Sequence, residues 1–434
     1  MDIANGTIEI DLGWGSIVSS TSWVDAESSM YRDLGPLFFG DIPWTQLLDF
    51  STEAVIQEVR FASNFDSPLQ VLAGLYYEDI EGFDSNWGLF GGDPSLNPFG
   101  SDIKLFRNTL DSPIEQKAIF GEVSYEISDT LTITGGARAF EYEVGETNSV
   151  DETFFAPPSI TISEDSQSDV NYKAGIDYSP SDDILLYASW SQGFRLGKSL
   201  PPESKPVCDQ NNDGIYDGSE GVQTGARKID PDEVDSYEIG GKFSLLDNRV
   251  NINVSAYHVY WDGIPLNVNF DFCSTTLNAG KAETQGIEIE STFQLNENLL
   301  ANIGGSYGKG ELTEDTEELG KSGDRLPGAP EYNFSAGLTY LFDIAGYESF
   351  FRGDYSYVGG FYNNTQETGQ EAGDYSRFDA RVGVKLNEGF SVELYGKNIT
   401  NSNELTWVDS EPASGLRGNF MRPRTVGVSL RYQF

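Results

Sequence analysis

Residues 425–434 read TVGVSLRYQF, and two kinds of side chain alternate through this stretch. Small or polar side chains occupy every second position, and apolar side chains occupy the positions between them. The apolar set is Val426, Val428, Leu430, Tyr432 and Phe434. Successive side chains of a β-strand point to opposite faces of the sheet. The stretch therefore predicts a strand with one apolar face and one polar face.

The same alternation recurs in FDARVGVKL at 378–386 and FSVELYGKN at 390–398, on either side of a short polar turn. Further examples are 55–61, 131–139, 184–195, 250–260 and 287–294. We count about 17 such strands, long enough to cross a bilayer at a tilt, whereas strands of soluble sandwiches usually have about five or six residues. The pattern predicts an all-β fold, a transmembrane antiparallel up-and-down β-barrel, with residues 1–434 as a single domain.

The composition agrees with this fold class and narrows the function. Of the 434 residues, 38% are hydrophobic and 13% aromatic, and no stretch approaches the roughly 20 consecutive apolar residues of a transmembrane helix. A barrel strand shows lipid only every second residue, which is compatible with the mean hydropathy of -0.37. The net charge of -42 argues against binding to nucleic acid. An acidic face suits metal ions or cationic ligands, and the alternative is that the acidic residues only keep the loops solvated.

The connections between the predicted strands are of two alternating kinds. Short polar turns are predicted at 128–129, 179–183, 246–248, 295–298 and 387–389. Long acidic or glycine-rich loops are predicted near 81–112, 145–168, 199–231, 309–326 and 401–421. Outer-membrane barrels have short turns on the periplasmic rim and long loops on the outer rim.

Several segments, in order along the chain, resemble the barrel of TonB-dependent outer-membrane receptors. They are QEVRF at 57–61, LLYASWSQGFRLG at 185–197, residues 231–264, NAGKAETQGIEIE at 278–290 and the terminal strand. The resemblance implies an integral protein of the outer membrane, in contact with lipid and lipopolysaccharide, that imports a scarce small-molecule nutrient with energy from the TonB complex. Iron-siderophores, glycan fragments and cobalamin-like compounds are the implied ligand classes. The alternative is a passive porin-like channel whose selectivity is set by the charge of the lumen.

The resemblance also gives the last strand a role in assembly. Its spaced residues look like the signal by which the barrel-assembly machinery recognises its clients: Gly427, Val428, Leu430, Tyr432 and Phe434. Such receptors are expected to have about 22 strands, a plug domain in the lumen and an upstream TonB box. Neither plug nor box is recognisable here, and MDIANGTIEI at the start lacks the features of a secretory signal. An odd strand count would also put Met1 on the outer side. We therefore expect an amino-terminally truncated barrel, part of a longer receptor.

Residues 209–220 read DQNNDGIYDGSE, which matches the spacing of a calcium-binding loop. Gly214 supplies the bend. The predicted oxygen ligands are Asp209, Asn211, Asp213, the Ile215 carbonyl, Asp217 and a bidentate Glu220. Because the flanks are strand and loop rather than helices, only a loop site is predicted, in an extracellular loop. The alternative is an acidic surface loop without a metal, and no other cofactor is required.

The chain has two cysteines, Cys208 and Cys273, and both are predicted to lie in long loops on the outer rim. They flank the two strands predicted across roughly 232–262. Neighbours of this kind form a disulfide in an oxidising compartment, and the alternative is two free thiols.

Eight polar side chains are predicted to face the lumen. They are Arg138, Tyr187, Ser189, Arg195, Glu288, Glu290, Arg381 and Arg431. In an intact receptor these residues are candidates for contact with the plug or the ligand, and the alternative is that they only hydrate the wall. No enzyme is predicted, because the single histidine, His258, lies inside an alternating strand, where neither a catalytic triad nor a zinc site is easily built.

Overall fold

The fold consists of β-strands in a computed structural model of the chain. It describes residues 1–33, 44–90, 104–151, 158–200, 208–209, 211–219, 221–225, 227–270, 273–316, 319–365, 367, 370–409 and 417–433. No helix in these ranges is long and apolar enough to cross a membrane.

Seventeen strands form one sheet, and each is antiparallel to its neighbours. In chain order they are β1 Asp2–Asp11, β2 Gly15–Asp33, β3 Trp44–Ser63, β4 Leu69–Phe90, β5 Lys104–Ser128, β6 Leu131–Val150, β7 Ser159–Ser181, β8 Ile184–Arg195, β11 Asp232–Leu245, β12 Val250–Phe270, β13 Cys273–Asn296, β14 Leu299–Leu312, β15 Tyr332–Ile344, β16 Tyr347–Val358, β17 Tyr375–Asn387, β18 Phe390–Lys397 and β21 Thr425–Tyr432. The predicted all-β, up-and-down topology and strand number are confirmed.

Two small ladders lie in the long connections. Strands β9 (Lys198–Leu200) and β10 (Arg227–Ile229) pair between β8 and β11, and β19 (Leu405–Asp409) pairs with β20 (Arg417–Phe420) between β18 and β21. At the ends of the large sheet, β1 pairs with β2 and β21 pairs with β18. Within the described residues no ladder joins β1 to β21.

The sheet has one short-turn rim and one long-loop rim. The connections at 12–14, 64–68, 129–130, 182–183, 246–249, 297–298, 345–346 and 388–389 are on the first rim, and the intervening connections are on the second. Two predicted loops, 81–112 and 145–168, were wrong in extent. Strand β4 continues to Phe90 and β5 already begins at Lys104. Likewise, β6 continues to Val150 and β7 begins at Ser159. Above the membrane a ladder needs no apolar face, so these strands continue through sequence without a continuous apolar alternation.

The outer face of the sheet is apolar. On β13, Ile287 and Ile289 are 54% and 42% exposed, and Glu288 and Glu290 alternate with them on the inner face. Outward tyrosines lie near the short-turn rim at positions 125, 178, 340, 347 and 432, and about one bilayer crossing farther along at 172, 237, 260, 307, 332 and 355. Two aromatic bands flanking an apolar zone are typical of a transmembrane barrel.

Aromatic rings on the inner face cover glycines on neighbouring strands. Each ring lies directly opposite its glycine in the ladder. The pairs are Phe120 with Gly74, Tyr187 with Gly240, Tyr257 with Gly286, Phe350 with Gly383 and Tyr395 with Gly427. Since a Cβ at any of these glycines would meet the opposite ring, the inner wall is shaped by ring-over-glycine packing.

Candidate functional site

The inner wall near β3–β8 contains paired charges around a cavity of about 410 Å³. Arg138 lies in this wall, and its guanidinium carbon is 4.8 Å from the ring centre of Tyr76 and 5.9 Å from that of Phe120. Lys173 forms an ion pair with Glu122 beside it. Arg138 therefore faces inward as predicted. Its charged guanidinium lies over two rings, which form an aromatic cradle in the wall.

Two further predicted lumen residues are engaged by partners on the next strand. The Arg195 guanidinium makes a bidentate ion pair with Asp232, with Nε–Oδ1 and Nη2–Oδ2 distances of 3.0 and 2.6 Å. Trp261 Nε1 donates to the same carboxylate, and the guanidinium lies 4.7 Å from the Trp261 ring centre. The hydroxyl of Tyr187 donates to Glu238. These contacts stabilise the wall across β8, β11 and β12.

A second inner cavity, of about 650 Å³, lies near the short-turn rim and contains Arg381 and Arg431 in its lining. Arg381 stands directly opposite Arg352 in the β16–β17 ladder. The Arg352 guanidinium is neutralised by Asp354, with Nε–Oδ1 and Nε–Oδ2 distances of 2.9 and 3.0 Å. In the described part of the chain, Arg381 and Arg431 form no ion pair within 4.0 Å. Glu388 and Glu393 line the same cavity, so this sector of the lumen carries charges of both signs.

The remaining predicted lumen residues lie opposite polar residues of neighbouring strands. Glu288 lies opposite Ser255 on β12 and Ser306 on β14, and Glu290 lies opposite Asn253. Ser189 is opposite Glu238 on β11. The eight predicted residues are therefore distributed around the wall of a wide lumen, and the structure does not bring them together into one cluster.

The described residues of the segment predicted to bind calcium, 209 and 211–219, lie on the long-loop rim. Asp209 is 2% exposed, and its carboxylate accepts hydrogen bonds from the backbone N–H groups of Asp213 and Gly214 at 2.9 and 2.8 Å. The side-chain oxygens of Asn211 and Asp213 accept from the N–H groups of Asp213 and Ile215, both at 2.9 Å. The side chains of the loop therefore organise its own backbone.

Not all of the predicted ligands of this loop lie in the described part of the chain. Asp217 donates its backbone N–H to the carbonyl of Cys208 at 2.9 Å, and Glu220 lies outside the described residues. Across the described ranges, no group of three or more His, Cys, Asp or Glu side chains is placed to hold a metal ion. Calcium binding stays a prediction.

Cys208 and Cys273 are joined by a disulfide, with Cα atoms 5.7 Å apart and 65 residues of sequence separation. Cys208 lies in the connection between β8 and β11, as expected. Cys273 does not lie in a long loop, because it is the first residue of β13 and pairs with Phe270 of β12. The β12–β13 hairpin extends as a ladder to its tip, which is why this part of the prediction was wrong.

His258 is placed on the outer face of the sheet, away from the lumen. Its ring stacks on Tyr260 with centroids 4.3 Å apart, and its Nε2 is 3.1 Å from a carboxylate oxygen of Glu283. Tyr237 meets Tyr260 edge-on in the same outer aromatic band. A histidine in this position packs at the edge of the membrane zone.

An inner aromatic cluster was not anticipated from the sequence. Phe140 and Tyr142 on β6 pack with Phe194, and this cluster is buried at the extracellular mouth. The sequence does contain a signal for this cluster. Phe140 and Tyr142 follow Arg138 at two-residue steps and interrupt an otherwise polar inner face. Farther along the same strand, burial raises the pKa of Glu146, and the positive charge of Lys198 partly opposes that shift.

The antiparallel strand order, the apolar outer face and the two different rims together define the class of this protein. It is a transmembrane up-and-down β-barrel of outer-membrane type. Residues 5–399 match the family model described as TonB dependent receptor-like, beta-barrel. The chain belongs to this TonB-dependent receptor β-barrel family, and the family resemblance seen in the sequence is confirmed.

The chain is similar to a probable siderophore receptor and to a pesticin receptor. A probable TonB-dependent siderophore receptor, PiuA, of Acinetobacter baumannii is 22% identical over 276 residues, which are 61% of this chain and 34% of PiuA. The pesticin receptor of Yersinia pestis is 21% identical over 386 residues, 87% of this chain and 51% of that receptor. The chain thus spans between a third and about a half of these curated relatives.

Solved structures agree on the fold. The crystal structure of the ferric yersiniabactin uptake receptor FyuA from Yersinia pestis aligns with a TM-score of 0.81 and 18% identity. The alignment covers 100% of this chain and 60% of the FyuA chain.

Proposed function

We propose that the chain is the barrel portion of an outer-membrane receptor that imports a metal–siderophore complex with energy from the TonB complex. The observation that carries the proposal is the family match across 5–399, since relatives with this barrel are described as siderophore and pesticin receptors. Among the ligand classes implied by the sequence, these relatives favour metal–siderophore complexes over glycan fragments and cobalamin-like compounds.

The inner wall has two roles in this proposal. Arg381 and Arg431, without ion-pair partners in the described chain, offer contacts to acidic side chains of a plug domain supplied by the rest of a longer receptor. Arg138 and Arg195 serve the wall itself, because an aromatic cradle and a carboxylate already engage them. Arg381→Ala is then expected to weaken retention of the plug more than Arg138→Ala.

The proposal includes further partners, which the fold supports. They are lipid and lipopolysaccharide around the outer aromatic bands, and the barrel-assembly machinery at the outward residues of β21. Phe434, the last residue of this assembly signal, lies outside the described residues. A calcium ion in the 209–220 loop would be held by Asp209, Asn211, Asp213, Asp217, Glu220 and the Ile215 carbonyl.

Uptake by intact cells tests the proposal. Cells lacking their own siderophore receptors, and expressing a complete receptor that contains this barrel, should accumulate radioactive iron from supplied ferric siderophores. A protonophore that collapses the membrane potential should abolish accumulation, and so should deletion of TonB. Uptake that persists under both treatments would instead identify a passive channel, the alternative from the sequence.

A further inference from the structure

The described residues of the connection between β8 and β11, 196–200, 208–209, 211–219, 221–225 and 227–231, are here called the strap, which is fixed to the wall at its base. Phe194 at the end of β8 stacks on Phe140 of β6, with ring centroids 3.7 Å apart and ring planes 3° apart. Tyr142 is 1% exposed, and its hydroxyl accepts a hydrogen bond from the backbone N–H of Gly197 at 3.4 Å. The strap therefore begins against the inner face of β6, which lies two positions away from β8 in the sheet.

The returning leg of the strap is fixed as well. Asn278 on β13 accepts from the backbone N–H of Asp230 at 2.9 Å and donates to the carbonyls of Asp230 and Gly263 at 3.0 and 2.8 Å. Lys228 forms an ion pair of 2.7 Å with Asp165 on β7. The short β9–β10 ladder joins the two legs. Both ends of the strap are thus connected to strands on either side of it.

The tip of the strap is anchored independently. Cys208 is bonded to Cys273, and Tyr216 is 1% exposed with its ring 5.3 Å from that of Phe270. Backbone hydrogen bonds from Tyr216 to Val222 at 2.9 Å and from Thr224 to Gly214 at 3.0 Å close the tip on itself. The tip belongs to an apolar cluster with Ile264, Val268, Ala282, Leu312 and Leu319.

We propose that the strap is a fixed part of the extracellular mouth, tying the outer ends of β6, β7 and β12–β14 into one rigid wall, and that it does not open as a lid. Lifting the tip would require rupture of a disulfide and exposure of Tyr216, and lifting the base would expose Tyr142 and Phe194. The strap thus has two separate anchors of different chemistry. One is the base, where both legs meet the wall, and the other is the tip. The inference rests on the fold alone and holds whatever ligand the receptor takes.

Hydrogen–deuterium exchange on the oxidised full chain in lipid vesicles tests the proposal. The amides of Tyr216, Asp217 and Thr224 should exchange about 100-fold or more slowly than in an unstructured peptide, and as slowly as the ladder at the β12–β13 tip. Exchange of these amides close to the unstructured rate, while the β12–β13 ladder stays protected, would show a loose strap and overturn the proposal.

Variants separate the two anchors. Phe140→Ala should speed exchange at Gly197 and Lys198 about tenfold or more and leave Thr224 unchanged, because the tip has its own packing. Tyr237→Ala, an outward tyrosine on β11, is the matched control and should change neither region. If Phe140→Ala also releases the tip, the two-anchor arrangement is wrong.

The tip anchor is examined first by reducing the wild-type chain, and then with one variant. Reduction of the disulfide should speed exchange at Tyr216 and Asp217 and leave Gly197 as protected as before. Tyr216→Ala should reproduce the loss at the tip with the disulfide intact. If reduction releases the base and the tip together, the strap moves as one lid and the proposal fails.

Discussion

At the scale of single residues, two buried carboxylates act through specific partners. The carboxylate of Asp232 receives both Arg195 and Trp261, and that of Asp209 receives two backbone amides. Ion pairs of this geometry are stronger than exposed pairs, whose contribution is usually below about 1 kcal/mol. The large negative charge therefore includes carboxylates that stabilise particular turns and strands.

Calcium binding is a prediction at this scale. Calorimetric titration of calcium into the oxidised chain should show one saturable site, since 209–220 supplies oxygen ligands at the spacing that calcium loops require. Asp213→Ala should abolish that heat. Asp247→Ala, in an exposed turn on the opposite rim, should leave it unchanged. An intact chain that gives no heat with calcium would leave the loop as a structural turn held by Asp209.

At the scale of strands, pairing on the inner face depends on glycines facing rings. Directly opposed side chains in an antiparallel pair are only about 4.5–5.5 Å apart at Cβ, so a large ring on one strand leaves room for little on the next. Among the five ring-covered glycines, Gly286 has the closest backbone neighbour, because a Cβ there would lie 2.5 Å from the carbonyl oxygen of Tyr307 and 2.6 Å from the Tyr257 hydroxyl.

Gly286→Val is therefore expected to destabilise the β12–β14 sector by about 1–3 kcal/mol, because strand or ring must move to admit the side chain. Gly135→Val is the matched control, since a Cβ at Gly135 has nothing within 4 Å. The midpoint of urea unfolding in vesicles, and the fraction of chain that keeps compact mobility in unheated electrophoresis, measure the effect. Equal midpoints for the two variants would contradict the proposed ring-over-glycine packing.

At the scale of the whole molecule, the two faces of the sheet meet different solvents. Adjacent residues of one strand should then respond oppositely to the same substitution. Ile289→Arg places a charge against lipid and should cost about 2–4 kcal/mol at the bilayer midplane, less near its edge. Glu290→Arg, one residue farther along, faces the lumen and should change stability by less than about 1 kcal/mol.

Urea unfolding of both variants in the same vesicles, followed by tryptophan fluorescence, checks this prediction. The seven tryptophans provide the signal. A larger loss for Glu290→Arg than for Ile289→Arg would mean that the inner and outer faces of β13 are assigned the wrong way round.

The sequence by itself determined the strands and their two faces, because side-chain direction in a strand has a period of two and needs no information from distant residues. TVGVSLRYQF and FDARVGVKL are sufficient to assign Val428 and Val382 to the lipid side and Arg431 and Arg381 to the lumen.

Tertiary structure decided what occupies the extracellular mouth. How far β4–β7 extend beyond the membrane, the place of Cys273 at a hairpin tip, and the stacking of Phe194 on Phe140 all depend on contacts between segments far apart in the chain. The alternation of residues along one strand cannot predict such contacts. Above the lipid no apolar face is required, and packing there depends on which strands become neighbours.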